Sequence, residues 1–91
     1  MSGTVTDNAA LHCFEMALEG GMAFVAYRRT GDVLSLDHAE VPPALEGQGA
    51  GSRLVKATLD NVRARGLKVT PLCGFVRAYM RRHPEFDDLI A

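Results

Sequence analysis

The sequence predicts an α/β (α+β) fold: a mixed sheet from three consecutive strands, followed by a helix, a fourth strand and a second helix. Three observations favour this class. Apolar residues alternate with period two in the first half of the chain and recur at helical spacing in the second half. Glycine or proline separates each such segment from the next. The pattern therefore excludes an all-helical chain and a fold built from strands alone.

Three strands over residues 11–18, 22–29 and 33–41 are predicted to form an antiparallel meander. In the first strand the apolar side runs in steps of two from His12 to Leu18, and in the third His38 shares a side with Leu34 and Leu36. Two glycine-containing turns connect the strands: Gly20-Gly21 and Gly31-Asp32. Residues 1–10 are small and polar and predict a disordered lead-in, so the single domain is expected over residues 11–91.

After Pro42-Pro43 the spacing of the apolar residues changes from strand-like to helical. These two prolines end the hydrogen-bonded pairing of the third strand because proline has no N–H to donate. A glycine-rich loop leads into an amphipathic helix that Gly66 is placed to end. Residues 67–72 predict a short buried strand, with Pro71 indicating an edge or a splayed end. A second helix is predicted over residues 74–83, with Phe75 among its inward side chains.

Composition limits the possible partners of the protein. The chain has 91 residues, is 47% hydrophobic and 23% charged, and has a net charge of −1. That balance argues against non-specific nucleic-acid binding, and no apolar run reaches the roughly 18 residues of a membrane span. The first ten residues lack the features of a signal peptide. We therefore expect a cytoplasmic protein with no nucleic-acid or membrane partner, as a monomer or weak homodimer.

The cysteines and histidines do not predict a metal site, because their spacing matches no ligand motif. Cys13 and Cys73 lie far apart in the sequence. A disulfide between them is one alternative, and a reduced pair, as in a cytosolic protein, is the favoured one.

The glycine-rich loop predicts a phosphate site at the start of the first helix. The first N–H groups of a helix have no intrahelical partner, and glycines allow the backbone to approach an anion closely. Gly47, Gly49, Gly51 and Ser52 fit this role. A simple strand-to-helix turn is the alternative. A dinucleotide fingerprint and a P-loop both fail, because the third glycine is one residue early and no lysine precedes Arg53.

The same loop resembles the coenzyme motif of the GCN5-related N-acetyltransferase superfamily, Arg/Gln-x-x-Gly-x-Gly/Ala. Residues 46–51 read Glu-Gly-Gln-Gly-Ala-Gly, so both motif glycines match and Glu46 replaces the Arg or Gln. The stretches at 41–49, 71–73 and 82–85 are similar to the small single-domain YjdJ-type branch of that family. The resemblance spans residues 11–90.

This resemblance implies that acetyl-CoA is a cosubstrate, inserted where the third and fourth strands splay apart. Backbone groups near Glu40 and Val41 would bond the pantetheine amides as an added strand does. Arg82 would contact the 3′-phosphate, with a solvated helix face as the alternative. The coenzyme contacts so implied are Glu40, Val41, Gly47, Gln48, Gly49, Ala50, Gly51, Ser52, Cys73, Tyr79 and Arg82.

Three residues are candidates for catalysis: Cys73, His38 and Tyr79. Cys73 is expected at a helix N-terminus, which favours a nucleophilic thiolate, or lines the coenzyme slot as a small apolar group. His38 suits a general base because imidazole exchanges protons near neutral pH; a half-exposed strand histidine is the alternative. Tyr79 would protonate the leaving thiolate, as the family's tyrosine does, or pack in the core.

The resemblance thus implies transfer of an acetyl group from acetyl-CoA to an amine of a small molecule or protein. The alternative is a non-catalytic acyl-CoA-binding or sensing module of the same fold. Larger members of the family that the chain resembles build much of the acceptor site from helices between their first two strands. Only Gly20-Gly21 lies at that place here, so the resemblance implies an open acceptor site.

Overall fold

The computed structural model describes residues 5–91. The strands are β1 (Thr6–Asn8), β2 (Cys13–Leu18), β3 (Gly21–Thr30), β4 (Val33–Glu40) and β5 (Lys68–Pro71); the helices are α1 (Ala50–Ala64) and α2 (Gly74–Arg82), with 3₁₀ helices at Pro43–Leu45 and Pro84–Leu89. The sheet order is β1-β2-β3-β4-β5, antiparallel except for the parallel β4–β5 pair. The predicted mixed sheet is confirmed.

The start of the chain differs from the prediction. Residues 1–4 of the expected lead-in lie outside the described residues, but Thr6–Asn8 forms β1 and pairs with β2. His12, expected on the apolar side of the first strand, instead lies in the turn before β2 with a φ of +54°. The alternation holds from Phe14 onward, where Phe14 and Met16 are completely buried.

One face of the sheet carries the core, and both helices pack on that face. Their apolar side chains join those of the strands in a single cluster. Its completely buried members are Phe14, Met16, Ala23, Val25, Leu36, Leu54, Val55, Leu59, Val62, Val69 and Val76. Since the core residues of neighbouring strands are direct or diagonal partners, they all project from the same side. The opposite face of the sheet is left without a covering layer in the described part of the chain.

An irregularity in β4 changes which of its side chains face the helices. Tyr27 pairs with Leu36, but Ala26 pairs with His38, so Asp37 is an extra residue in β4. Such a bulge interrupts the alternation of side chains along a strand. His38 is consequently exposed, and the prediction that it shares the side of Leu36 is wrong.

The bulge also determines which face of the sheet the following side chains project from. Ala39 and, just beyond the strand, Val41 pack against the core cluster. His38 and Glu40 are exposed, on the uncovered face. Adjacent residues of one short segment therefore face the two sides of the sheet.

The pairing of β4 with β5 ends before β4 does. The last partners are Leu36 and Pro71, while β4 continues to Glu40. The Leu36 carbonyl accepts the N–H groups of both Leu72 and Cys73, at 3.1 and 2.9 Å, as the chain turns away into α2. We call this point, where β5 turns away from β4 at Leu36 and Leu72, the fork. Beyond the fork the β5-facing edge of β4 is unpaired in the described structure, which matches the predicted splay of the two strands.

A polar link fastens β1 to the body of the protein. The Tyr27 hydroxyl donates to Asp7 Oδ1 at 2.6 Å, and Arg65, at the end of α1, contacts Asp7 Oδ2 at 2.9 Å. Burial first, and then the hydrogen bond to Asp7, raise the pKa of Tyr27 to about 12. The link joins three elements that are distant in sequence.

The Tyr27→Phe variant tests this link. Loss of the bond to a charged group should lower the free energy of unfolding by about 1–2 kcal/mol at neutral pH. Because the folded-state pKa is raised from 10.0 to about 12, the stabilisation is complete below pH 10 and is lost as the pH rises towards 12. Urea titrations of both proteins should show their difference shrinking over that interval. A difference that stays constant from pH 9 to 12 would contradict the assignment.

Candidate functional site

A groove opens between the free end of β4 and the first turns of the two helices, with a volume of about 540 Å³. The residues that line it are Ala39, Val41, Leu45, Glu46, Gly47, Gly49, Ala50, Gly51, Ser52 and Phe75. Apart from Glu46 and Ser52, these residues have apolar side chains or none. Backbone groups must therefore supply most of the groove's polarity.

The groove contains six of the residues predicted to contact a coenzyme: Val41, Gly47, Gly49, Ala50, Gly51 and Ser52. Five others do not line it: Glu40, Gln48, Cys73, Tyr79 and Arg82. Four residues line the groove but were not predicted as contacts: Ala39, Leu45, Glu46 and Phe75. Ala39 was missed because the bulge was not foreseen, and Phe75 because it was assigned to the core.

Two glycines give the loop its shape. Gly47 and Gly49 have φ values of +81° and +78°, a region that side-chain-bearing residues rarely adopt. Gly49 is the N-cap of α1, and the Arg53 N–H donates to its carbonyl at 3.1 Å. The N–H groups of residues 50–52 therefore precede the helical ladder and are available to an acceptor in the groove. They also lie at the positive end of the helix dipole, where anions are favoured.

The two polar residues of the loop behave differently. Gln48 turns back on the preceding 3₁₀ helix, and its side-chain amide donates to the Ala44 carbonyl at 3.4 Å. Glu46 is one of the residues that line the groove, beside a helix terminus that favours anions. The replacement noted in the sequence thus gives the groove a negatively charged residue in place of Arg or Gln.

Gly51 serves a steric purpose. A Cβ at this position would lie 2.7 Å from the Cζ atom of Phe75, well inside contact distance. The Phe75 ring thus lies directly against the first turn of α1 while remaining 44% exposed. Its prediction as an inward core residue is wrong, because α2 begins beyond the fork and its first turn faces the groove.

Cys73 lies at the fork between β4 and β5. It is the N-cap of α2, as predicted, and is half-buried against the core. Its carbonyl accepts the Arg77 N–H at 3.0 Å, which starts the helix. Both Cys73 and Cys13 are free thiols.

His38 lies on the other side of the sheet from the groove. Its Nε2 atom is 3.3 Å from Glu40 Oε2, and both side chains are more than half exposed. A carboxylate at this distance orients the imidazole. His38 and Glu40 belong to β4, the same strand whose Ala39 lines the groove.

Tyr79 and Arg82 lie elsewhere on α2. Tyr79 is 3% exposed and stacks on His83 with ring centroids 4.0 Å apart, and burial raises its pKa. Arg82 is the last residue of the helix, roughly 12 Å along the axis from its start. The structure thus does not bring either side chain to the groove, and their assigned roles stay predictions.

Two further observations concern residues 5–91 as a whole. No group of three His, Cys, Asp or Glu side chains in this range could hold a metal ion. In the same range, no helix combines the length and apolar character needed to cross a bilayer.

The fold is that of an acetyltransferase-like α/β protein. The NMR structure of a GCN5-like protein from Staphylococcus aureus superposes with a TM-score of 0.72 at 22% identity, covering 99% of this chain and 89% of that one. A family model described as GCN5-related N-acetyl-transferase matches residues 13–89. The chain therefore belongs to the GCN5-related N-acetyltransferase family.

Relatives with a curated name are similar over most of the chain. Protein NATD1 of Mus musculus is 34% identical over 74 residues, covering 78% of this chain and 67% of that protein. Protein NATD1 of Homo sapiens is 35% identical over 63 residues, covering 68% of this chain and 56% of that protein. The chain thus spans between 56% and 67% of the length of these two relatives.

The contact between Gly51 and Phe75 can be tested by a double-mutant cycle. Alanine is favoured over glycine inside a helix by about 0.5–1 kcal/mol. In the wild type, Gly51→Ala should gain little, because the new Cβ displaces the Phe75 ring. In a Phe75→Ala background the full gain should appear, a coupling of about 0.5 kcal/mol or more in urea unfolding. An equal gain in both backgrounds would show that the ring does not constrain position 51.

Proposed function

We propose that this protein transfers an acetyl group from acetyl-CoA to an amine. The observation that carries the proposal is the groove itself, which combines an unpaired strand edge with the anion-binding start of α1. Coenzyme A requires both features, because its pantetheine arm carries amides and its pyrophosphate is anionic. Membership of the N-acetyltransferase family supports the same chemistry.

Two parts of the coenzyme, the pyrophosphate and the pantetheine arm, are proposed to bind at different places in the groove. Its pyrophosphate accepts hydrogen bonds from the N–H groups of residues 50–52, next to the left-handed Gly49. Its pantetheine arm runs along the free edge of β4. Ala39 and Val41 have their side chains on the core side, as Leu36 does, so their backbone groups point to the β5 side, as the Leu36 carbonyl does. The arm thus replaces the missing part of β5.

The proposed reaction is a direct attack. The lone pair of a neutral amine attacks the thioester carbonyl carbon, the C–S bond breaks, and coenzyme A leaves as a thiolate that takes a proton from solvent. His38, held by Glu40, removes the proton from the amine. Positioning of the two reactants and backbone donors to the thioester oxygen supply most of the rate.

Binding of acetyl-CoA is the first test of the proposal. At about one hundred times Kd the coenzyme should stabilise the native state by roughly 2.7 kcal/mol, which raises the melting temperature by several degrees. Glu46→Gln should tighten binding about two- to fivefold at low salt, and less at high salt, because it removes a carboxylate that repels the phosphates.

Asp32→Asn, with the same change of charge in the turn between β3 and β4, is the control for Glu46→Gln and should leave the affinity unchanged. Absence of any thermal shift at millimolar acetyl-CoA would exclude the proposal. A shift without transfer to any of a panel of amines and peptides would favour the acyl-CoA-binding module instead.

Cys73→Ala separates direct attack from a covalent route. Direct attack predicts that transfer survives within about tenfold of the wild-type rate, a barrier change of about 1.4 kcal/mol, with coenzyme affinity preserved. Mass spectrometry of the wild type with acetyl-CoA alone should then show no adduct. Complete loss of turnover, together with an acetyl adduct on Cys73 and none on Cys13, would establish the covalent route.

A further inference from the structure

The extra residue of β4 has no cross-strand partner in the described part of the sheet. Tyr27 pairs with Leu36 and Ala26 with His38, so Asp37 is opposite no residue of β3. The pairing with β5 stops at Leu36, one residue earlier. A bulged residue leaves the ladder of hydrogen bonds locally interrupted. Contacts of the Asp37 side chain therefore take the place of the backbone pairing that is missing here.

Two side chains hold the Asp37 carboxylate. Arg28 donates from Nε to Oδ2 at 2.7 Å and from Nη2 to Oδ1 at 3.3 Å. The Ser35 hydroxyl also donates to Oδ1. Arg28 and Ser35 are direct partners in the regular ladder that precedes the bulge. We call these three residues the clamp, because they tie the bulge to the regular part of the sheet.

The clamp is charged at neutral pH. The Arg28 hydrogen bond lowers the pKa of Asp37, burial opposes that shift, and the Ser35 hydroxyl supports it. A bond with two donors between guanidinium and carboxylate fixes direction as well as distance. Because the Arg28 side chain is 72% exposed, the pair contributes little to global stability, so its effect is on local geometry.

The segment that follows the clamp forms one wall of the groove. Ala39 and Val41 line the groove, while residues 38–40 pair with β3 alone in the described structure. Members of the clamp lie on the uncovered face, because Arg28 and Ser35 alternate with buried neighbours, and none of the three lines the groove. The clamp can therefore affect a ligand in the groove only through the backbone of β4.

We propose that the clamp positions the free end of β4 for coenzyme binding. The inference rests on the proposed transferase function, because the coenzyme is the proposed ligand of that strand edge. Without the clamp, every groove residue remains in the chain, but residues 38–41 are held less firmly against β3. A pantetheine arm that pairs with this edge must then order it first, which weakens binding. Arg28 and Asp37 are thus positioning residues.

Arg28→Gln and Asp37→Asn each break the clamp and test it through coenzyme affinity. Calorimetric titration with acetyl-CoA should show binding about threefold weaker or more for each variant. The double variant should bind no more weakly than the weaker single variant, because both changes remove one shared contact. Long-range charge alone predicts opposite effects on an anionic ligand, since one change removes a cation and the other removes an anion.

Amide hydrogen exchange provides a measurement that needs no ligand. Exchange at residues 38–40 should be about fivefold faster or more in both variants, because this segment opens locally with less cost. Exchange at Phe14 and Met16 in β2 should stay as in the wild type. Melting curves of every variant establish that the fold is retained.

Arg63→Gln is the matched control. It removes the same charge as Arg28→Gln and breaks an Arg–Asp pair of similar length, from Arg63 Nη1 to Asp88 Oδ2 at 2.9 Å. This pair lies roughly 20 Å along α1 from the groove. Neither coenzyme affinity nor exchange at residues 38–40 should change in this variant.

Tighter coenzyme binding by Asp37→Asn would overturn the inference, and so would exchange at residues 38–40 that matches the wild type in both variants. Equal weakening by Arg63→Gln would overturn it as well, because affinity would then follow net charge. The wild type keeps the two proposals separate. If it binds no acetyl-CoA, the transferase function is contradicted, whereas binding that is insensitive to the clamp contradicts only the positioning role.

Discussion

The extra residue in β4 is the constraint on which the whole site depends. With strict alternation, His38 and Glu40 would point towards the helices, and the groove would be lined by titratable groups in a largely apolar wall. The bulge at Asp37 reverses this order, so that small Ala39 faces the groove and the polar pair faces the open side. One backbone irregularity thus separates the groove from the exposed His38–Glu40 pair within a few residues.

The parts of the fold that could be predicted are those with a local cause. The alternation around Phe14, the glycine at position 66 and the helical spacing in α1 each follow from neighbouring residues alone. The structure bears them out, with Gly66 left-handed just after the end of α1. The left-handed Gly49 likewise reflects a local demand, since the chain must change direction to start a helix.

The parts that could not be predicted have causes far away in sequence. Strand β1 has only three residues and no periodicity, and it is fixed by Arg65 and Tyr27 through the Asp7 carboxylate. The exposure of Phe75 depends on the fork, which turns the start of α2 towards α1. Position 51 illustrates the same limit: its glycine was attributed to phosphate access, yet an aromatic ring from the other helix also requires it.

The order of pairing in the sheet has a consequence for how the groove comes into being. Strands β1 to β4 meet their sequence neighbours through short turns, whereas β5 reaches β4 only after the chain has traversed α1. Such long-range closure is the slow part of folding. The Ala91 N–H also donates to the Val69 carbonyl of β5, at 2.9 Å. A molecule lodged at the fork would therefore hold together contacts between segments that are far apart in the sequence.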